Sequence, residues 1–162
     1  MNICERIALE DGRIIQIVGD EDCESPREND NLGTIAVERN RYVSGDEELT
    51  AGNEDELAEQ VGALAICMPV YAYSHGATTI STDAFSDPWD SGQVGVIYMT
   101  RETVRKEYGW TRITKQRRAK LEAYLTAEID EYATWIRGEC YGYRIIKPCP
   151  EHGDDCQHAE EE

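Results

Sequence analysis

The chain is 162 residues long and carries 16 lysines and arginines against 33 aspartates and glutamates, a formal charge of −17. That length fits one domain with a core of its own, and 40 % hydrophobic with 30 % charged residues excludes wholesale disorder. The longest stretch free of charged residues, 60–82, is apolar only over 61–73, too short for a membrane helix of about 20 residues.

From the N-terminus, residues 3–9 and 13–18 alternate apolar with polar around Asp11-Gly12. That dipeptide suits a tight primed turn and predicts a β-hairpin. The opening has no basic n-region and no apolar h-region, so secretion is not expected. Residues 19–31 are rich in acids and turn formers, and 34–37 read as a strand. A polar loop over 43–53 leads to Asn53, which can cap a short helix over 54–64 because Glu56 lies three residues on. Residues 66–73 read as a buried strand, with Pro69 placing it at an edge or a bulge. A long connection over 74–93, rich in Ser, Thr, Asp and Gly, precedes an apolar strand at 94–99.

Thr100 is placed to cap a second short helix that ends near Tyr108, with Gly109 at its stop. Thr114 opens the clearest helix, because Leu121, Tyr124, Leu125, Ile129, Tyr132 and Ile136 fall on one face. Gly138 ends it, and 141–146 is a last strand. Helices and strands alternate irregularly, so the expected class is α+β. The expected architecture is a single domain over 1–147 with a small mixed or antiparallel sheet packed against one long and two short helices. An acidic tail follows over 148–162.

Charge is unevenly divided along this plan. Residues 1–60 hold 17 acids and five bases, 61–100 three aspartates and no base, and 148–162 six acids. Only 101–147 is net positive, with eight bases and two acids inside 101–120. An acidic surface attracts basic ones and repels nucleic-acid backbones, so a basic partner is expected and direct nucleic-acid binding is not. The same excess of acids also serves solubility, and occurs in proteins adapted to high salt. Arg101, Arg105, Lys106, Arg112, Lys115, Arg117, Arg118 and Lys120 are interleaved with Tyr108 and Trp110. Such a mixture can hold phosphates and stack bases. With so many acids elsewhere, the expectation is instead that these bases pair internally or across an oligomer.

Cys149, His152, Cys156 and His158 put four zinc-type donors within ten residues. Their order, C-x2-H-x3-C-x-H, is not a standard finger spacing, so a zinc site and an incidental acidic tail both stay open. Six cysteines without a secretory signal are expected as reduced thiols in a cytoplasm. Cys67, in an apolar strand, reads as a small core residue. His75, Asp83, Asp90 and Ser91 share one loop from which a Ser-His-Asp arrangement can be drawn on paper. No Ser there sits in a G-x-S-x-G elbow, and a structured or binding loop accounts for the same composition. Trp89 in that loop either plugs a core edge or meets a partner. Asp20, Glu21 and Asp22 lack the alternation of a calcium loop. Neither a Walker motif nor G-x-G-x-x-G is present to hold a nucleotide cofactor.

Several blocks stand out together: Glu24-Ser-Pro-Arg-Glu28 with Asp30-Asn-Leu-Gly33, Arg41-Tyr42 with Gly45-Asp46, and His75 with Thr79-Ile-Ser81 and Phe85. They continue in Pro88-Trp-Asp-Ser-Gly-Gln-Val-Gly95, Arg105-Lys-Glu-Tyr-Gly109 and Tyr141-Gly-Tyr143. In these blocks the chain resembles an uncharacterised group of small proteins encoded mostly by phages, prophages and conjugative elements. It departs from that group at Ser74, where relatives often carry Asp, and at Gly76-Ala77, where they carry Ser-Gly. Its C-terminal segment is a Cys/His/acid tail where relatives commonly run on into a Cys-Trp block. The resemblance implies a mobile-element accessory protein in a bacterial cytoplasm and brings no reaction with it.

The function these observations favour is a non-enzymatic acidic binding protein that inhibits a host complex concerned with defence or nucleic-acid handling. Its partner would be a host protein or ribonucleoprotein with a basic surface. Asp20, Glu21, Asp22, Glu24, Glu28 and Asp30, with Trp89 and Gln93, are the expected contact residues. A small enzyme with a site in the 75–93 loop is the alternative, and a zinc-dependent regulator using the tail is the third reading.

Overall fold

The computed structural model describes residues 2–39, 43–147 and 160–161. Along the chain run β1 (Ile3–Ala8), β2 (Ile14–Gly19), a 3-10 turn (Pro26–Glu28), β3 (Thr34–Val37), β4 (Glu47–Glu48) and α1 (Glu54–Val61). Then come β5 (Leu64–His75), β6 (Ala77–Ser81), β7 (Ser91–Thr100), α2 (Arg101–Tyr108), α3 (Lys115–Ile136), β8 (Tyr141–Lys147) and β9 (Glu160–Glu161). The fold is α+β, with the one long and two short helices that the sequence predicts. The strands form two sheets where the sequence reading anticipates one. Contacts divide the chain into two units, Met1–Cys23 with Gly138–Glu162, and Glu24–Arg137.

The first unit is antiparallel, in the order β1-β2-β8-β9. Its hairpin forms as predicted, but not with a primed turn. Leu9 N–H donates to Arg13 O at 2.8 Å and Gly12 N–H to Leu9 O at 3.1 Å. Among the described residues only glycines have positive φ, so Gly12 (φ 85°) is the left-handed residue that closes a three-residue loop. Asp11 favours this longer loop by accepting from the Arg13 backbone N–H and side chain, which lowers its own pKa. Behind the hairpin, Gln16 is buried and accepts from Arg144 Nε at 2.8 Å.

The second unit holds a mixed sheet in the order β4-β3-β7-β5-β6, parallel only between β3 and β4. Strand alternation splits its apolar residues between two faces. Ile35, Ile66, Val70, Ile97 and Met99 pack with Leu121, Leu125 and Ile129, the stripe of α3. On the other face the shorter α1 sets Leu57 against Ala36 and Tyr98. The caps are those the sequence announces. Asn53 Oδ1 accepts from Glu56 N–H at 3.0 Å, Thr100 Oγ1 from Thr103 N–H at 3.1 Å, and Thr114 Oγ1 from Arg117 N–H at 3.3 Å. Pro69 lies on β5 before its pairing with β6 begins at Tyr71, next to a register shift at Val70/Tyr71. The expected 74–93 connection is shorter than predicted, because β6 and the first residues of β7 take up much of it.

One side chain ties the Glu24–Arg137 unit together. Arg27, its side chain 9 % exposed, reaches Asp46 through Nε at 3.1 Å and Nη2 at 2.6 Å, and Glu128 through Nη1 at 2.9 Å. Its Nη2 also donates to Gly33 O at 2.7 Å. The carboxylates in turn collect backbone donors: Glu128 Oε1 accepts from Leu32 and Gly33, and Asp46 Oδ2 from Ile35. Burial alone would depress the Arg27 pKa, but the Asp46 and Glu128 carboxylates outweigh it and raise it. Gly33 has no room for a side chain, since a Cβ there would lie 2.5 Å from Leu125 Cδ2 and 2.7 Å from Glu128 Oε2. Breaking a buried pair strands its partners, so Arg27→Ala is expected to lower the unfolding free energy by about 3 kcal/mol. Arg27→Lys should restore only part of this, because one ammonium cannot replace the guanidinium fork. Urea unfolding measures both, and unchanged stability in Arg27→Ala would refute the assignment.

Candidate functional site

β5 and β7 run antiparallel from Leu64↔Thr100 at one end to Tyr73↔Ser91 at the other, and the second end carries the loop that the sequence marked as rich in reactive groups. That loop is firmly held. Asp87 Oδ1 accepts from Trp89 N–H at 2.9 Å, and the Ser91 hydroxyl donates to Asp87 O. Ser74 N–H donates to Asp90 O at 2.9 Å, and Phe85 packs on Tyr73 with ring centres 5.6 Å apart. His75 Nδ1 and Asp90 Oδ2 lie 2.7 Å apart, which clips the turn to the end of β5. From this fixed turn Trp89 projects 91 % exposed. Covering a tryptophan removes about 200 Å² from water, so roughly 5 kcal/mol of transfer free energy is left unrealised here.

The structure therefore joins two of the four residues from which a catalytic arrangement was drawn. His75 meets Asp90, but His75 is 73 % exposed on its side chain and the Ser91 hydroxyl is turned to a backbone carbonyl. The Asp83 N–H is bonded to the Ser81 hydroxyl, and the residue is exposed. Of the expected contact residues, Asp20, Glu21 and Asp22 are exposed in the first unit, and Glu24, Glu28 and Asp30 in the second. The Ser25 and Arg27 that separate Glu24 from Glu28 hold the fold together, since Ser25 caps the 3-10 turn and Arg27 forms the buried network. Cys149, His152, Cys156 and His158 lie outside the described residues. Among the described residues, no three His, Cys, Asp or Glu side chains gather as a metal site would require.

Gln93 borders a groove of about 400 Å³ between α1 and the sheet, where Glu38, Glu54, Leu57, Cys67 and Pro69 also contribute. Gln93 Nε2 donates to Gly95 O at 3.2 Å, which fixes the amide at the groove's rim. Burial, with a smaller contribution from Glu54, pushes the Cys67 thiol up to about 11. That suits a packing residue and not a nucleophile.

The internal pairing expected for the basic segment is not found. None of its eight bases forms an ion pair with a described carboxylate, and all but half-buried Arg117 are exposed. The reason is positional, because α2 and the start of α3 turn these side chains away from the sheet.

Compared with family models, curated proteins and solved structures, the chain shows no significant match to any. No helix among the described residues is long and apolar enough to cross a membrane.

Cys67 gives a direct check on the groove. With its pKa near 11, about one thiol in a thousand is ionised at pH 8, so iodoacetamide should label exposed Cys4 long before Cys67. The folded chain binds this proton more tightly than the unfolded chain. Its contribution to stability is therefore complete below about pH 9 and is lost as the pH climbs through 11. Equal labelling of the two cysteines by mass spectrometry would overturn the assignment.

Proposed function

We propose that the protein is a non-enzymatic binding protein whose Trp89 turn docks into an apolar pocket rimmed by arginine or lysine on a host complex. The observation that supports this is the exposure of Trp89 on a turn that hydrogen bonds hold in place. Tryptophan is the side chain most often found at the centre of binding hot spots, and a preorganised one loses little entropy on docking. Charge specifies the partner. Residues 61–100 contain no base and three acids, Asp83, Asp87 and Asp90, all within eight residues of one another around Trp89. Cations on the partner would meet these carboxylates and could also lie over the indole face.

In this reading His75 serves to brace the turn through Asp90, and the exposed N-terminal acids supply long-range attraction. The host setting, a defence or nucleic-acid-handling complex in a bacterial cytoplasm, is supported by the resemblance to mobile-element proteins.

Trp89→Ala should leave the urea midpoint unchanged, because an exposed side chain away from special features contributes within about 0.5 kcal/mol. It should weaken binding to a purified, captured partner by roughly thirtyfold, the loss typical of a hot-spot residue. Affinity should also fall more than tenfold between about 50 and 500 mM salt. A partner retained equally by wild type and Trp89→Ala would sink the proposal.

A further inference from the structure

At the other end of β5 and β7 the surface has the opposite sign. Arg101 N–H donates to Ala63 O at 2.8 Å where the strands begin and end, and α2 starts there. Ala63, Arg101, Arg105, Trp110, Thr111 and Ile113 line a cleft of about 280 Å³. Trp110 is held by a stack on Tyr108, ring centres 4.5 Å apart, and by the Arg117 guanidinium 4.8 Å from its own centre. Lys120 Nζ lies 5.2 Å from the Tyr108 centre and 5.7 Å from that of Trp110. Arg101 and Arg105 thus line the cleft beside Trp110 while Arg117 and Lys120 lie over its indole, and none of the four has an ion pair with a described carboxylate.

Parts of this arrangement cost stability, beside the cation–π contacts that support it. Arg101 and Arg105 are like charges one helical turn apart and repel each other. Arg117 and Lys120 stand in the first turns of α3, where the helix dipole disfavours cations. A chain with twice as many acids as bases has carboxylates to spare for neutralising these groups, yet none of the described ones pairs with them, although Glu102 and Glu107 stand on α2 itself.

We infer that this cleft, with Arg101 and Arg105 in its lining and Arg117 and Lys120 on its tryptophan, binds the phosphodiester backbone of a single nucleic-acid strand. Arginine forks match phosphate oxygens, and the row from Arg101 to Lys120 offers three or four such contacts. Trp110 is already covered by Tyr108 and Arg117, so it orients the cations and leaves recognition to the backbone, without base sequence. A single strand is narrow enough to touch the basic patch alone. The net charge of −17 repels the extended anionic surface of a membrane and the denser phosphate charge of a duplex more than it repels one flexible strand.

The site stands apart from the Trp89 turn. Leu64 and Tyr73 are nine positions apart on β5, about 30 Å at the rise of a strand. The two proposals can therefore fail independently.

Fluorescence anisotropy of labelled twelve-residue oligothymidylate and oligouridylate, titrated with the full chain, tests the inference. Both are expected to bind at 20–50 mM salt. The affinity should drop roughly tenfold to twentyfold between 50 and 150 mM, the slope of three or four phosphate contacts on a single strand. Arg101→Glu with Arg105→Glu, both exposed, should reduce affinity at least tenfold without changing the urea midpoint. Arg117→Gln with Lys120→Gln should do so to a smaller degree, and Trp89→Ala should bind the strand normally. No anisotropy change at 20 mM salt would overturn the inference. So would full affinity in the Arg101/Arg105 double variant, or equal binding of duplex DNA or of phosphatidylserine vesicles. A preference between the two oligonucleotides would identify DNA or RNA as the source of the same backbone chemistry.

Discussion

The guanidinium of Arg27 is the constraint on which the Glu24–Arg137 unit depends. It comes from a short 3-10 turn, yet it holds Asp46 from the loop after β3 and Glu128 from the middle of α3. Each carboxylate then binds backbone N–H groups at the entry to β3, so the start of the central sheet is fixed to the long helix through charge. Such a network is expensive to dehydrate, and its hydrogen bonds are met with Leu32, Gly33 and Ile35 in their present places. Gly33 shows how tightly those places are set, since a single methyl group there would collide with Leu125 and Glu128.

Local chemistry was legible in the sequence, and long-range chemistry was not. Asn53, Thr100 and Thr114 announce their helices because a cap is a contact over two or three residues. The α3 stripe is legible for the same reason of spacing. Arg27 lies 101 positions from Glu128, and nothing near it distinguishes a buried arginine from a solvated one. The β6 strand escaped because its Thr-Thr-Ile-Ser composition also suits a loop, and only its pairing with β5 makes it a strand. The division into two sheets was hidden likewise, since β8 completes a sheet begun by the first nineteen residues.

For the candidate site, the sequence located the turn but not its direction. Asp87 and Ser91 are ordinary turn formers, and only their hydrogen bonds reveal that Trp89 must point outward. The basic segment was legible as charge, but not in where its side chains stand. Expected to pair within the chain or across an oligomer, it makes no ion pair with a described carboxylate of the same chain and stands exposed beside Trp110. The Glu24–Arg137 unit is consequently polar along β5 and β7, with carboxylates and an exposed indole at one end and arginines at the other.

The strand pairing of the first unit bears on the order in which the protein is made. β1 and β2 leave the ribosome early, but the strand that flanks β2, β8, follows about 120 residues later. At ribosomal speeds of about 5–20 residues per second, the hairpin waits roughly 6–24 s for its neighbour. A lone two-stranded hairpin is only marginally stable in water. The Glu24–Arg137 unit is contiguous and can close during this interval, so the hairpin, made before that unit, gains its neighbouring strand only after it.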